Sequence, residues 1–325
     1  MGGESSPSMA VPTHLSASRP GHVQSADVTL GPWTEPAHAS FARVWGEVLR
    51  TPGVLWRSRD LVGTCLGRDL SGRFRGTMLG WLWPLVQPAL LLVVYGFVFA
   101  ELLGVRMPGA AAQLQASYGL YLFTGALVWS AFAESLIRAT TSLVDGRHLI
   151  GKLTFPAEVL PLTPVLGGVV TLAFGTGVTL AVSAATGLHP LPGAELAWVP
   201  VLFALGGLFT YGLALLCAAA HIHLRDTREV MACLLTVLMF ATPIFWVPSV
   251  EVIPSIGPWL DWIQASPLYL WITGWRGVLM GGQPSEALGM GVAECCARLA
   301  PWSVGSVLIG RAVFAALQRG FADEV

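Results

Sequence analysis

Six stretches of this 325-residue chain are almost free of charged side chains: about 81–103, 118–142, 159–186, 196–220, 229–248 and 300–318. A helix rises about 1.5 Å per residue, so about 20 apolar residues match the roughly 30 Å hydrocarbon core of a bilayer. One such run can be a buried helix of a soluble protein. Six cannot, because a soluble fold of this size has too little interior to hide them. Composition agrees: charged residues make up 11% of the chain and mean hydropathy is +0.65, whereas soluble domains carry about 25% charged residues. The runs differ in detail. The first opens Trp81-Leu82-Trp83-Pro84, the third is rich in Gly, Val and Thr, and the sixth carries Arg311. The expected fold class is an all-α integral membrane protein with six transmembrane helices.

Basic residues set the orientation of such a chain. Arg43, Arg50, Arg57, Arg59, Arg68, Arg73 and Arg75 precede the first run, and Arg106 stands alone after it. The connection between the second and third runs has Arg147 and Lys152, the next has none, and the one after has Arg225 and Arg228. This alternation puts both termini in the cytoplasm. Residues 1–40 are rich in Ser, Pro, Gly and His and contain no apolar block of the signal-peptide kind, so a disordered tail is expected. Residues 41–76 mix Trp and Leu with Arg, the pattern of an amphipathic helix lying in the cytoplasmic interface. Residues 77–325 then form the transmembrane domain. The stretch about 255–282 is broken by Pro267 and Gly274. It reads as short interfacial or re-entrant extracytoplasmic helices between spans five and six, with Trp259, Trp262, Tyr269, Trp271 and Trp275 at headgroup level. A seventh span is the alternative.

Little in the chain suggests enzymatic chemistry. The net charge of −1 gives no footprint for nucleic acid. Residues 146–152 spell Gly-Arg-His-Leu-Ile-Gly-Lys, most of a phosphate-binding loop, but Leu153 stands where that loop needs Ser or Thr for Mg²⁺. His221 and His223 are two apart and do not share a helix face, so a metal site with Asp226 is disfavoured. Neither a nucleophile–base–acid set nor paired carboxylates emerge, which weighs against a membrane-embedded glycosyl- or phosphotransferase. Glu134 and Arg138 stand four apart in the second run, where they can pair on one face.

Taken in order, the remaining motifs resemble one family. Arg68-Asp69-Leu70, Arg73-Phe74-Arg75-Gly76, Leu79-Gly80-Trp81-Leu82-Trp83 and Gln87-Pro88 lead into the first run. Tyr121-Leu122-Phe123-Thr124-Gly125 and Trp129 follow, then Leu149-Ile150-Gly151-Lys152 with Phe155-Pro156 and Leu160-Pro161. Arg225-Asp226, Pro243-Ile244-Phe245, Gly310, Phe314 and Phe321-Ala322-Asp323 complete the set. Over about residues 45–325 the chain resembles the permease subunits of ABC transporters that export O-antigen, teichoic acid, capsule and related glycans. Phe74 departs from the pattern, where Tyr is commoner.

The resemblance implies six spans with an N-terminal interface helix and short outside helices. It also implies a homodimer with two copies of a separate ATPase, a bacterial cytoplasmic membrane, and an undecaprenyl- or polyprenyl-linked glycan as cargo. This chain would itself need no cofactor, since ATP and Mg²⁺ would sit on the partner. Within that frame Arg68, Asp69, Arg73, Arg75 and Gly76 form the expected substrate entrance, because Arg forks match pyrophosphate oxygens. Trp81, Trp83, Tyr95, Tyr121, Trp129 and Phe132 are candidate path aromatics on which sugars stack. Leu149, Lys152, Phe155, Pro156, Arg225, Asp226 and Arg228 are the candidate ATPase-coupling surface, with Pro156 ending a short docking helix. Trp259, Trp262, Tyr269 and Arg276 are the candidate extracytoplasmic gate. A permease of the same class exporting a small hydrophobic compound is the alternative.

Overall fold

The computed structural model describes residues 2, 46, 53–74, 76–103, 118–147, 156–187, 192–251, 253–281 and 290–318. The helices below all belong to one compact unit, His38–Val325. Among the described residues every element is helical. Helix α1 is Arg59–Phe74. A tight turn at Gly80–Leu82 leads into α2, Trp83–Tyr95, which runs on as a wider π-helical turn over Gly96–Leu102. Pro84 sits in the first turn of α2, where its missing N–H has no intrahelical partner to lose. Helix α3 is Tyr118–Asp145 and α4 is Val159–Thr186, the latter closed by Gly187 in the left-handed conformation. Helix α5 is Val199–His223 and α6 is Thr227–Ala241. Two short elements, Pro254–Trp259 and α7 at Leu260–Ala265, lead to α8, Pro267–Leu279. Helix α9 is Val292–Leu317.

Among the described residues, four helical stretches are long and apolar enough to cross a membrane: 118–145, 159–185, 194–223 and 292–317. Trp83–Phe99 is a shorter apolar helix. Three of the long stretches fall where the second, third and fourth runs were expected. The last begins at Val292 instead of about 300 and absorbs Pro301. Its early charges are tolerated because Arg298 and Glu294 pair one turn apart at 2.6 Å.

The fifth run departs most from expectation. It was read as helical to about 248, yet α6 stops at Ala241. The cause is local: a residue before proline is pushed out of the helical region, and Thr242 ahead of Pro243 is extended at φ −81, ψ 139.

Helix α3 is the axis of the core. Its buried residues include Tyr121, Phe123, Leu127, Phe132, Leu136 and Leu143. It packs against α4, α5 and α8. Helices α5 and α9 approach most closely where Gly212 faces Gly310. A Cβ on Gly310 would come within 2.9 Å of the Gly212 carbonyl carbon and 3.1 Å of its Cα.

The outside segment also differs from expectation. From Leu268 to Leu279, α8 is buried throughout, so Tyr269, Trp271 and Trp275 are core residues covered by the protein, with no ring face left open to headgroups. Trp271 is pinned there by its indole N–H, which donates to the Leu202 carbonyl at 3.1 Å. Trp259 and Trp262 are the exposed pair.

Candidate functional site

Among the described residues, three polar clusters interrupt the apolar body. The first joins α1 to the middle of α3. Arg73 donates from Nε to Asp69 Oδ2 at 3.2 Å and from Nη1 to Glu134 Oε1 at 2.7 Å. Arg138 bonds Asp69 Oδ1 and lies 3.6 Å from Glu134. Two cations and two acids thus close a four-membered ring between the helices. On the third side α4 presents Gly167, where a Cβ would lie 3.3 Å from the Arg73 guanidinium carbon, so a larger side chain would displace the ring.

Beside the ring lies a cavity of about 500 Å³ lined by Cys65, Arg68, Asp69, Arg138, Thr141 and Ser142, among others. Arg68 is exposed at its margin. Burial pushes the Cys65 thiol up, and the Arg68 charge opposes that in part. Of the expected entrance residues, Asp69 and Arg73 are therefore locked together with Glu134 and Arg138. Arg68 is left facing the cavity, and Gly76 is exposed in the left-handed region at φ 78. Arg75 lies outside the described residues.

The second cluster sits where α4 begins. Glu158 Oε1 is 2.6 Å from Arg311 Nη2 of α9, and the two side chains are 8% and 6% exposed. The Tyr211 hydroxyl of α5 donates to the Glu158 carbonyl at 3.3 Å. Arg311 is the charge carried inside the sixth run; a buried partner explains how the span carries it. Sequence reasoning passed over Glu158. Its signal was an acid at the head of one apolar run matching a cation inside another. Of the expected coupling residues, Pro156 is half-buried just before this pair, while Arg225, Asp226 and Arg228 are exposed on the corner between α5 and α6. Leu149, Lys152 and Phe155 lie outside the described residues.

The third cluster repairs the break after α6. Arg276, wholly buried, donates to the carbonyls of Pro243 at 2.8 Å, Ile244 at 3.0 Å and Tyr121 at 3.3 Å, and its guanidinium lies 3.4 Å from the Tyr121 ring centroid. The Tyr118 hydroxyl takes the Phe245 carbonyl at 2.7 Å and the Tyr121 hydroxyl takes that of Trp246 at 3.1 Å. Four consecutive carbonyls that left the helix are thereby each given a side-chain donor. Non-helical backbone at membrane depth is tolerated on that condition. Arg276 and Tyr269 of the expected outer gate are thus interior, whereas Trp259 and Trp262 rim an apolar cavity of about 570 Å³ lined also by Phe132, Phe209 and Leu238.

The expected path aromatics divide similarly. Trp129 and Phe132 are buried 5.7 Å apart, and Phe132 stacks on Phe209 at 6.1 Å. Tyr95 is half-buried and stacks on Phe99, and Trp83 is on the surface. Nothing is described of the Trp81 side chain. Among the described residues no three His, Cys, Asp or Glu side chains gather as a metal site.

Comparison with known proteins matches residues 60–280 to the family model described as ABC-2 type transporter. The chain is similar to an O-antigen export system permease protein RfbA of Myxococcus xanthus, with 30% identity over 61% of this chain and 73% of the relative. It is also similar to two proteins of the same name from Klebsiella pneumoniae, at 26% and 27% identity, each over 69% of this chain and 81% of the relative.

Proposed function

Because the chain belongs to the ABC-2 type transporter family, we propose that it is the transmembrane permease of an exporter that carries a lipid-linked cell-surface polysaccharide across a bacterial cytoplasmic membrane. The observation that carries this reading is the similarity to O-antigen export permeases of two organisms. In this reading a separate ATPase supplies the energy, two copies of each subunit assemble, and the cargo hangs on an undecaprenyl or other polyprenyl pyrophosphate.

The four long helices, together with α2 and α6, make six spans with both termini in the cytoplasm. Helix α6 is 15 residues, or about 22 Å. The non-helical segment behind it completes that crossing, with its carbonyls satisfied by Arg276, Tyr118 and Tyr121. Helix α1 lies at the cytoplasmic boundary, tied to α3 by the four-charge ring. Arg73 is neutralised within the ring, so Arg68 and the hydroxyls of Thr141 and Ser142 around the 500 Å³ cavity are the groups left to meet a pyrophosphate. Arg225, Asp226 and Arg228, exposed on the corner between α5 and α6, are the groups offered to the ATPase, together with Pro156 and with Leu149, Lys152 and Phe155, which lie outside the described residues. Val230, Leu234, Val237 and Phe240 leave one face of α6 apolar and exposed, available to lipid or to the second copy.

The test is to purify the chain from its native membrane in mild detergent and identify what accompanies it by mass. An ATP-binding-cassette ATPase in equal amount is the expected result. A well-folded chain that brings none overturns the proposal.

A further inference from the structure

We propose that Glu158 and Arg311 are positioning residues for transport: their buried ion pair makes the start of α4 and the end of α9 move as one body. The inference rests on the function proposed above and adds the route by which a push on the cytoplasmic connection reaches the last span.

Three observations converge. First, Glu158 is a buried charge at the very head of α4, two residues after Pro156, so a displacement entering α4 from its leading end acts on it directly. Second, its partner lies on a different span, 2.6 Å away and shielded from water. Separating two such charges would leave each uncompensated in a medium that solvates neither. The pair therefore resists stretching far more than an apolar contact, which slides. Third, the neighbouring residues hold the pair in place. Gly212 and Gly310 bring the backbones of α5 and α9 together, and the residues beside them in sequence, Tyr211 and Arg311, both converge on Glu158. Phe314, one turn along from Arg311, carries its ring 5.6 Å from the guanidinium.

Stability alone does not account for this arrangement. A buried ion pair replaced as a unit by apolar residues of similar volume is often no less stable. A salt bridge differs from such a replacement in being directional and stiff. At its other end the connection joins α3, which the Asp69–Arg138 and Arg73–Glu134 contacts tie to α1. One displacement thus acts on the entrance helix and on the last span together.

The experiment compares the wild type, Glu158→Gln and the double variant Glu158→Met/Arg311→Met as full complexes with the ATPase in proteoliposomes. The probe is a fluorescent polyprenyl-pyrophosphate oligosaccharide. The readouts are complex assembly, ATP hydrolysis, and oligosaccharide exported per ATP hydrolysed. The last is a ratio that a mere loss of folded protein does not change. At least one variant is expected to assemble and hydrolyse ATP as the wild type does, with export per ATP lower by about tenfold, a typical coupling between linked sites. If either variant exports at the wild-type ratio, or if neither assembles, the assignment is overturned. Failure of the wild type itself to export in an ATP-dependent way would instead refute the proposed function.

Discussion

Gly310→Ala is a one-methyl test of how α5 and α9 are joined. The new Cβ would run first into the Gly212 carbonyl oxygen, and would sit 2.9 Å from the Gly212 carbonyl carbon and 3.1 Å from its Cα. Carbon atoms rest at about 3.5–4.0 Å, so the helices would have to part by roughly half an ångström or more. No flexible side chain can yield, because all three obstacles are backbone. Overpacking of this kind costs about 1–3 kcal/mol. Against it stands the helix propensity of Ala over Gly, worth up to about 1 kcal/mol. The expected net effect is a destabilisation of about 1–2 kcal/mol, or a fall of several degrees in the unfolding midpoint at roughly 2–4 °C per kcal/mol. The same helix supplies a control. Gly305 has nothing within 4 Å of its would-be Cβ, so Gly305→Ala keeps the propensity gain without the clash. The assay is thermal unfolding in one detergent, followed by loss of the monodisperse peak on size-exclusion chromatography. If both variants shift the midpoint equally, or if Gly310→Ala leaves it unchanged, the close approach is refuted.

Three further outcomes are expected. Arg276→Lys should remove the folded fraction almost as fully as Arg276→Met, because a point-like ammonium cannot reach three carbonyls that a planar fork spans; charged hydrogen bonds of about 1.5–3 kcal/mol each are at stake, and a monodisperse Arg276→Lys protein would contradict the clamp. Arg73→Glu should set three acids against one another and loosen α1, seen as faster maleimide labelling of Cys65; adding Glu134→Arg should bring the rate back towards wild type, and no change in either variant would argue against the ring. With Cys65 as the sole cysteine, labelling in the wild-type background should be slow at neutral pH and climb only above the ordinary thiol range, since burial disfavours the thiolate; a fast reaction at pH 7 would contradict the burial.

The parts of this architecture that were legible in the sequence are those governed by local rules. The α4 run needed only its unbroken apolar length and Gly187 behind it. The end of α6 was legible in principle, since Thr242-Pro243 is a helix boundary signal, but the apolar residues on either side of Pro243 masked it as one continuous run. Charge pairing was legible only within a turn: Glu134 and Arg138 could be matched by spacing, whereas their links to Asp69 and Arg73 depend on how α1 lies against α3. The same holds for Glu158 and Arg311, which sit on different spans and meet only because α5 and α9 pack backbone to backbone. The burial of the α8 aromatics was not legible for a related reason. A Trp-rich, proline-broken segment has the composition of an interface belt, and composition does not reveal that it folds inward.

The break after α6 also constrains the order of assembly. The carbonyls of Phe245 and Trp246 are met by Tyr118 and Tyr121, which leave the ribosome before them, but those of Pro243 and Ile244 depend on Arg276, which emerges after them. In the six-span reading proposed above, a nascent chain that has just inserted α6 holds a half-finished crossing, and unmet polar groups are costly in a bilayer. That crossing becomes self-sufficient only once α8 has been made and folded inward. A pause or truncation between residues 246 and 276 would leave an open strand of backbone in the membrane, which marks this interval as the point in biogenesis where chaperone or protease surveillance has most to act on.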